Sequence, residues 1–489
     1  MSHKPDPNKS VTLTIDGQQV TVPEGTKILE AARKANAFIP TLCDHPDLCR
    51  RAVCRICVVE CDGKGKLLTA CANDVWEGVS VVTNNNRITN IRKTIIELLL
   101  ANHPRECLSC PASTNCKLQA LAQTYGIRET VFRRVAENRE AVKKQPDGES
   151  GALLRDMDKC VKCGRCVEAC QEIQTVRAIN SSRRSVNYRI TTAYDLNLED
   201  SPCVLCGQCA AVCPVGAISE NDQSAEAWAA INDTERRTAV QFGKTLCPEL
   251  DTALGLPAGT AGAGKAVTAL KRLGFDKVYD AQLATDLAAE ELSLELKNRV
   301  QGGQNLPIIS ACSQSAVKFI GNFYPDLAAN LSPCRSPVEI FCSLAKEEKT
   351  TLVSIEPCIS NKCLLKQPSS NEPGNKLAEK EFIPPSPDIT LTVKELARMI
   401  KLAGIDFASL PESPFDSIKA EIDFINRKEQ ALEMKTKCLA ANGLGKARAI
   451  LDSIRNGECD AALVEIKSCP PADSRANCAS ICSGAIQII

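Results

Sequence analysis

The feature that most constrains this chain is a run of cysteines, C-x2-C-x2-C-x3-C, that occurs twice. Cys160, Cys163, Cys166 and Cys170 form the first run; Cys203, Cys206, Cys209 and Cys213 form the second, followed by Pro214. The whole chain of 489 residues carries 28 cysteines. A secreted disulfide protein would explain such a count, but the N-terminal stretch Met1-Ser-His-Lys-Pro-Asp-Pro7 has no apolar run of the signal-peptide kind. The expected setting is therefore the cytoplasm, where thiols stay reduced and dense cysteine points to metal. No apolar run approaches the ~18 residues of a membrane span. Lys plus Arg equals Asp plus Glu at 59 each, so net charge gives no sign of nucleic acid or an anionic membrane as partner. The length suggests about three domains or more.

The doubled run is the spacing of a bacterial-type two-cluster ferredoxin, in which the fourth cysteine of each run serves the other [4Fe–4S] cluster. One ligand set should be Cys160, Cys163, Cys166 and Cys213, the other Cys203, Cys206, Cys209 and Cys170. Zinc leaves this spacing unexplained. Upstream, alternating Val11–Ile15, an Asp16-Gly17 turn and Val20–Val22 read as a hairpin, and Thr26 to about Ala35 as a helix. Cys43, Cys54, Cys57 and Cys71 follow as C-x10-C-x2-C-x13-C. Zinc sites also use C-x2-C pairs, but hairpin, helix and loop arrive in β-grasp order, which favours [2Fe–2S]. Cys49 and Cys61 fall outside the spacing. Next, the apolar run Ile95–Ala101 leads to His103, Cys107, Cys110 and Cys116, one imidazole and three thiols for a further [4Fe–4S] cluster. Read in chain order, the four clusters would form a line. A charged connector is expected over residues 133–151.

From about Gly264 apolar strands alternate with helical stretches, as in parallel α/β folds. Gly259-Thr-Ala-Gly-Ala-Gly264-Lys265 fits a P-loop only as far as its lysine; Ala266 replaces the hydroxyl and no strand precedes it. A flexible approach to a helix is the better reading.

The order of these parts resembles the [FeFe]-hydrogenase large-subunit family over nearly the whole chain. In the C-terminal half the resemblance rests on residues 273–280, 319–327, 330–337, Glu356-Pro-Cys358, 394–401, 443–448 and 464–470. It implies a fold that is α+β and α/β multidomain. The expected domains are a [2Fe–2S] β-grasp domain over 1–83, a histidine-ligated [4Fe–4S] domain over 84–132, a two-[4Fe–4S] ferredoxin domain over 150–225 and a two-lobed hydrogenase-like domain over 240–489. Of the four cysteines that hold the family's H-cluster, Cys312, Cys358 and Cys469 have counterparts, but the bridging position is Asp473. Ala311 stands where a relay cysteine belongs. Glu291 and Ser332 match relay positions, whereas Leu294 falls on another and Glu295 lies one step out of register. Asn361 takes the place of a lysine, although Lys362 is adjacent. A Gly-rich segment expected between about Asp423 and Lys437 is missing.

These losses imply no catalytic residues for hydrogen chemistry and no complete H-cluster. Cys312, Cys358 and Cys469 hold a fifth, bare cubane if Cys363, Cys478 or Cys482 supplies a fourth ligand; otherwise they are inert buried thiols. Cys247, Cys334, Cys342, Cys438 and Cys459 are expected in cores. The resemblance implies an electron-transfer subunit of an electron-bifurcating NADH/NADP/ferredoxin transhydrogenase. Flavin and NAD(P) would sit on a flavin-bearing NADH-oxidising subunit, with a small [2Fe–2S] subunit and ferredoxin as further partners in a hetero-oligomer. The alternatives are a divergent or sensory hydrogenase, a complex-I-like or formate dehydrogenase partner subunit, and a structural scaffold.

Overall fold

The computed structural model describes residues 6, 9–62, 66–113, 115–132, 151–303, 305–311, 313–366, 385–418 and 437–469. The expected connector lies outside them except for Gly151. Among the described residues no helix is long and apolar enough to cross a membrane.

The first unit is a five-stranded sheet. Strands β1 (Ser10–Ile15) and β2 (Gln18–Pro23) form the expected hairpin, turning through Asp16 and Gly17, both at positive φ. With β3 (Val58–Cys61), β4 (Lys66–Thr69) and β5 (Ser80–Val82) the order is β2-β1-β5-β3-β4, β5 running parallel to β1. The helix Ile28–Lys34 buries Ile28, Leu29, Ala31 and Ala32 against this sheet. Cys61 belongs to the same core; Cys49 is exposed.

The apolar run Ile95–Ala101 ends a helix that starts at Asn86, where the Asn85 side chain accepts from Ile88 N at 2.8 Å. Buried Arg92 on that helix donates to the carbonyls of Ile56, Val58 and Thr83 at 3.1, 2.7 and 2.9 Å. A cation satisfied by three carbonyls ties the helix to the sheet and to the loop that carries Cys54 and Cys57. A second helix, Lys117–Thr124, completes this unit.

The ferredoxin-like unit is framed by two antiparallel pairs, β6 (Leu153–Arg155) with β9 (Ile218–Glu220) and β7 (Ile179–Ser182) with β8 (Arg189–Thr192). Its two halves repeat each other in backbone detail. Lys162 and Leu205 are both left-handed, and their N–H groups reach Cys160 Sγ and Cys203 Sγ at 3.4 Å. Gly164 and Gly207 are left-handed as well and open the short helices Arg165–Glu168 and Gln208–Ala211.

The C-terminal half has two parallel sheets. One is β11-β10-β13-β14, with β10 Arg237–Phe242, β11 Lys277–Asp280, β13 Thr350–Glu356 and β14 Ile389–Thr392. The other is β12-β16-β15, with β12 Ile308–Ala311, β15 Cys438–Asn442 and β16 Leu463–Lys467. The α/β pattern thus starts at β10, upstream of the Gly264 texture change, because β10 is a central strand whose buried residues are partly polar (Thr238, Gln241). The Gly-rich stretch is filled by protein. Asp251 accepts from Gly259 N and Ala261 N at 2.7 Å, Lys265 Nζ donates to Ala408 O at 2.8 Å, and Gly264 lies so close to Glu412 that a Cβ would meet its side chain at 2.7 Å.

Candidate metal centres

Sulfur chemistry dictates the first test. A buried thiolate is costly unless a cation faces it. Burial pushes the thiols of Cys160 to about 12 and of Cys163 and Cys203 to about 11, and those of Cys166, Cys206 and Cys209 well above their ordinary value. Such a collection is stable either as protonated thiols or as ligands of a strong cation. Their arrangement fits the second case.

Cys160, Cys163, Cys166 and Cys213 line one recess of about 330 Å³ together with Met157, Ile190, Pro214 and Ile218. Cys170 does not line it. The helix that carries Cys166 opens into a wide π-turn at Ala169–Ile173, and Cys170 is instead among the charges felt by the thiols of Cys203, Cys206 and Cys209. The structure therefore groups the thiols with the fourth member of each run exchanged.

His103 is directed by its own backbone. Its Nδ1 lies 2.8 Å from Pro104 O, so this nitrogen carries the proton and Nε2 keeps its lone pair. Nε2 is buried and without a protein partner, and burial holds the imidazole below its usual pKa, hence neutral. It lines a recess of about 270 Å³ with Cys107, Cys110 and Cys116.

At the β-grasp loop, Cys57 Sγ and Cys71 Sγ stand 3.2 Å apart. Cys43 and Cys54 are likewise hydrogen-bonded, which lowers Cys54 to about 7 and raises Cys43. In each pair one sulfur is already the acceptor, and the charges of Cys43 and Cys57 act on each other.

Among the described residues, no three Cys, His, Asp or Glu side chains are placed as ligands of a single metal ion. Sulfurs spread around recesses of this size suit a larger inorganic group, and the orphaned Nε2 is the donor such a group would use. Zinc fits less well.

Three of the sets meet on one core. One small apolar core, built on Leu42, Ile56, Ile96, Leu118, Leu121, Ile127, Val215 and Ala217, has Cys54, Cys116, Cys160 and Cys213 packed against it. Gly216 lies so close to Cys110 that a Cβ would meet its Sγ at 2.6 Å. Pro214–Ala217 return to the front unit and bring the ferredoxin-like unit against it. The second ferredoxin set faces the other way: Cys170, Cys203 and Cys206 pack on the core of the β12-β16-β15 lobe. Ile359, next to Cys358, fills the space beside Gly207, where a Cβ would meet its Cγ2 at 2.3 Å.

Elsewhere in the C-terminal half the family positions are bonded within the protein. Cys358 is buried, its Sγ 3.0 Å from Ser360 Oγ, and Cys469 is buried too. Cys312, Cys478, Cys482, Asp473 and the side chain of Cys363 lie outside what is described. Lys362, 0% exposed, is held by both Glu395 oxygens at 2.6 and 2.7 Å and by Asn221 O at 2.7 Å. Asn361 donates to Glu356 at 2.9 Å. On the helix Ala281–Gly302, Glu291 pairs with Arg335 and Leu294 is 60% exposed. Glu295, read as out of register, nevertheless accepts from Ser332 Oγ at 2.7 Å and from the Cys334 thiol at 3.0 Å. Cys334 is thus a hydrogen-bonded thiol, raised to about 12 by burial and Glu295, and it packs against the small core of Leu292, Leu296, Ile308 and Leu463; Cys459 packs against the β12-β16-β15 core, Cys247 and Cys342 lie in cores, and Cys438 is exposed.

Residues 236–424 match the family described as "Iron only hydrogenase large subunit, C-terminal domain". Upstream, residues 8–86 match a 2Fe-2S iron-sulfur cluster binding domain, 92–130 the NADH-ubiquinone oxidoreductase-G iron-sulfur binding region and 159–217 a 4Fe-4S dicluster domain. The NADP-reducing hydrogenase subunit HndD of Solidesulfovibrio fructosivorans is 37% identical over 428 residues, covering 83% of this chain and 71% of that one. The chain belongs to the iron-only hydrogenase large-subunit family. Within it, Iron hydrogenase 1 of Clostridium pasteurianum is 31% identical over 84% of this chain and 71% of its own length. The front half alone is also similar to the NADPH-Fe(3+) oxidoreductase subunit alpha of Geobacter sulfurreducens, 36% identical over 42% of this chain and 24% of that one. This family member thus carries 2Fe-2S and 4Fe-4S domains ahead of a hydrogenase-like half.

Proposed function

We propose that this chain is the electron-transfer subunit of a multisubunit oxidoreductase and does not itself activate hydrogen. Its ligand sets would be Cys43, Cys54, Cys57 and Cys71 for one [2Fe–2S] cluster, with three [4Fe–4S] clusters on His103/Cys107/Cys110/Cys116, on Cys160/Cys163/Cys166/Cys213 and on Cys203/Cys206/Cys209/Cys170. Iron–sulfur clusters supply one-electron exchange with little rearrangement. The residues around them exclude water, present backbone N–H groups to sulfur and keep the sets packed together. The carrying observation is the contrast in side-chain use. Two front recesses are each lined by a full candidate set, whereas Lys362, Asn361 and Glu291 are bonded within the protein.

The partners proposed are a flavin-bearing NADH-oxidising subunit, a small [2Fe–2S] subunit and ferredoxin, in an NADH/NADP/ferredoxin transhydrogenase of the bifurcating kind. The similarity to subunits of an NADP-reducing hydrogenase and an NADPH oxidoreductase supports an assembly of this type. Iron and acid-labile sulfide analysis tests the reading: about 14 iron atoms per chain are expected, about 18 if Cys312, Cys358 and Cys469 hold a further cubane. Hydrogen evolution after supply of the two-iron cofactor would refute it.

The contact of Glu295 with Ser332 favours one second reading, a divergent hydrogenase with a re-routed proton path. Carbonyl and cyanide infrared bands in the purified protein would establish that reading.

A further inference from the structure

We propose that the Arg165 guanidinium is a buried charge shared by two of the centres, bridging the Cys43 set and the Cys160 set and raising the reduction potential of both. The inference rests on the ligand reading above.

Arg165 stands between Cys163 and Cys166 and is 3% exposed. Its Nη1 donates to Val212 O at 3.4 Å, and Val212 immediately precedes Cys213. Its Nη2 donates to Asp44 O, and Asp44 immediately follows Cys43. The two arms therefore hold carbonyls flanking one ligand from each set. Nε is buried with no partner. The Asp44 carboxylate is paired with Arg33 at 3.2 Å and Arg50 at 3.4 Å. Arg165 acts electrostatically on the thiols of Cys163, Cys43 and Cys213.

The chemistry needs arginine in particular. A guanidinium stays charged and spans two acceptors with one rigid fork, whereas an ammonium is a point charge on a flexible stem. One electron added to either centre adds one negative charge, with no bond made or broken and no proton required. A cation in the low-dielectric space between them favours the reduced form of each. The docking contacts hold this geometry. Arg51 Nε is 2.5 Å from Glu168, and Gly164 lies where a Cβ would meet Arg51 Cδ at 2.7 Å. The loop of the Cys43 set is thus seated on the helix that carries Arg165.

The test is an EPR-monitored redox titration of the full chain, preceded by iron analysis of every variant. Arg165→Gln should shift both midpoint potentials downward at unchanged iron content. Arg165→Lys, which keeps the charge but spans one carbonyl, should lower only the potential of the set it releases. A shift in one set alone in Arg165→Gln overturns the shared charge, as do unmoved potentials with full iron. Should Arg165→Gln fail to load, Arg165→Met, which also removes the charge, decides, and two unmoved potentials at full iron overturn the proposal. Wild-type protein lacking either signal removes the ligand reading, and this proposal with it.

Discussion

The front and back halves of the molecule treat reactive side chains in opposite ways. In the front, His103 with Cys107, Cys110 and Cys116 lines one recess, Cys160, Cys163, Cys166 and Cys213 line another, and His103 Nε2 has no protein partner. In the back, the side chains at family positions bond to each other: Lys362 to Glu395, Asn361 to Glu356, Glu291 to Arg335. Passing an electron requires only that ligand sets be complete and adjacent. Activating a substrate requires every relay and contact group to be aligned at once. The first capacity therefore tolerates changes in the back half that the second does not.

Stripping iron and sulfide should separate the halves most sharply. By comparison with structural zinc, coordination is worth on the order of 10 kcal/mol per site. Loss of metal should abolish hydrogen-exchange protection over residues 9–220 while the protection of 237–469 persists. Equal loss in both would break the comparison.

Smaller, and directed at the exchanged ligands, are Cys213→Ser and Cys170→Ser. Cys213→Ser should perturb the EPR signal of the Cys160 set and Cys170→Ser that of the Cys203 set. The reverse assignment would contradict the grouping.

Lys362→Met leaves Glu395 buried without its cation and should destabilise the C-terminal half by about 3–5 kcal/mol. Adding Glu395→Leu should restore much of the thermal midpoint, with front-half iron unchanged throughout. Loss of cluster potential instead would give Lys362 a redox role. Least of all, Glu291→Gln breaks an exposed ion pair and should change stability by less than about 1 kcal/mol. It should also leave electron transfer from NADH in the assembled complex unaltered; a clear drop there would mean that a relay survives.

The front half was legible because its information is local. The spacing of Cys160 to Cys170, repeated from Cys203 to Cys213, marks a 4Fe-4S dicluster domain whatever the rest of the chain does. The hairpin turn at Asp16-Gly17 is equally local. What escaped was tertiary. Nothing near Lys362 predicts its partner Glu395, and nothing near Gln174 predicts its bond to Ser468 O at 3.2 Å. The contact of Glu295 with Ser332 was tertiary as well. Residues four apart on a helix share a face, so Glu295 follows Glu291 along one stripe and reaches Ser332. Arg165 was hidden for the same reason: its acceptors, Asp44 O and Val212 O, are distant in sequence and are backbone atoms.

The apolar core shared by Cys54, Cys116, Cys160 and Cys213 makes the front a three-way junction. Electrons held at such close quarters repel one another through a medium that screens poorly. Each arrival makes the next less welcome, so the front should fill stepwise, and an unoccupied neighbour becomes the standing invitation that draws charge onward.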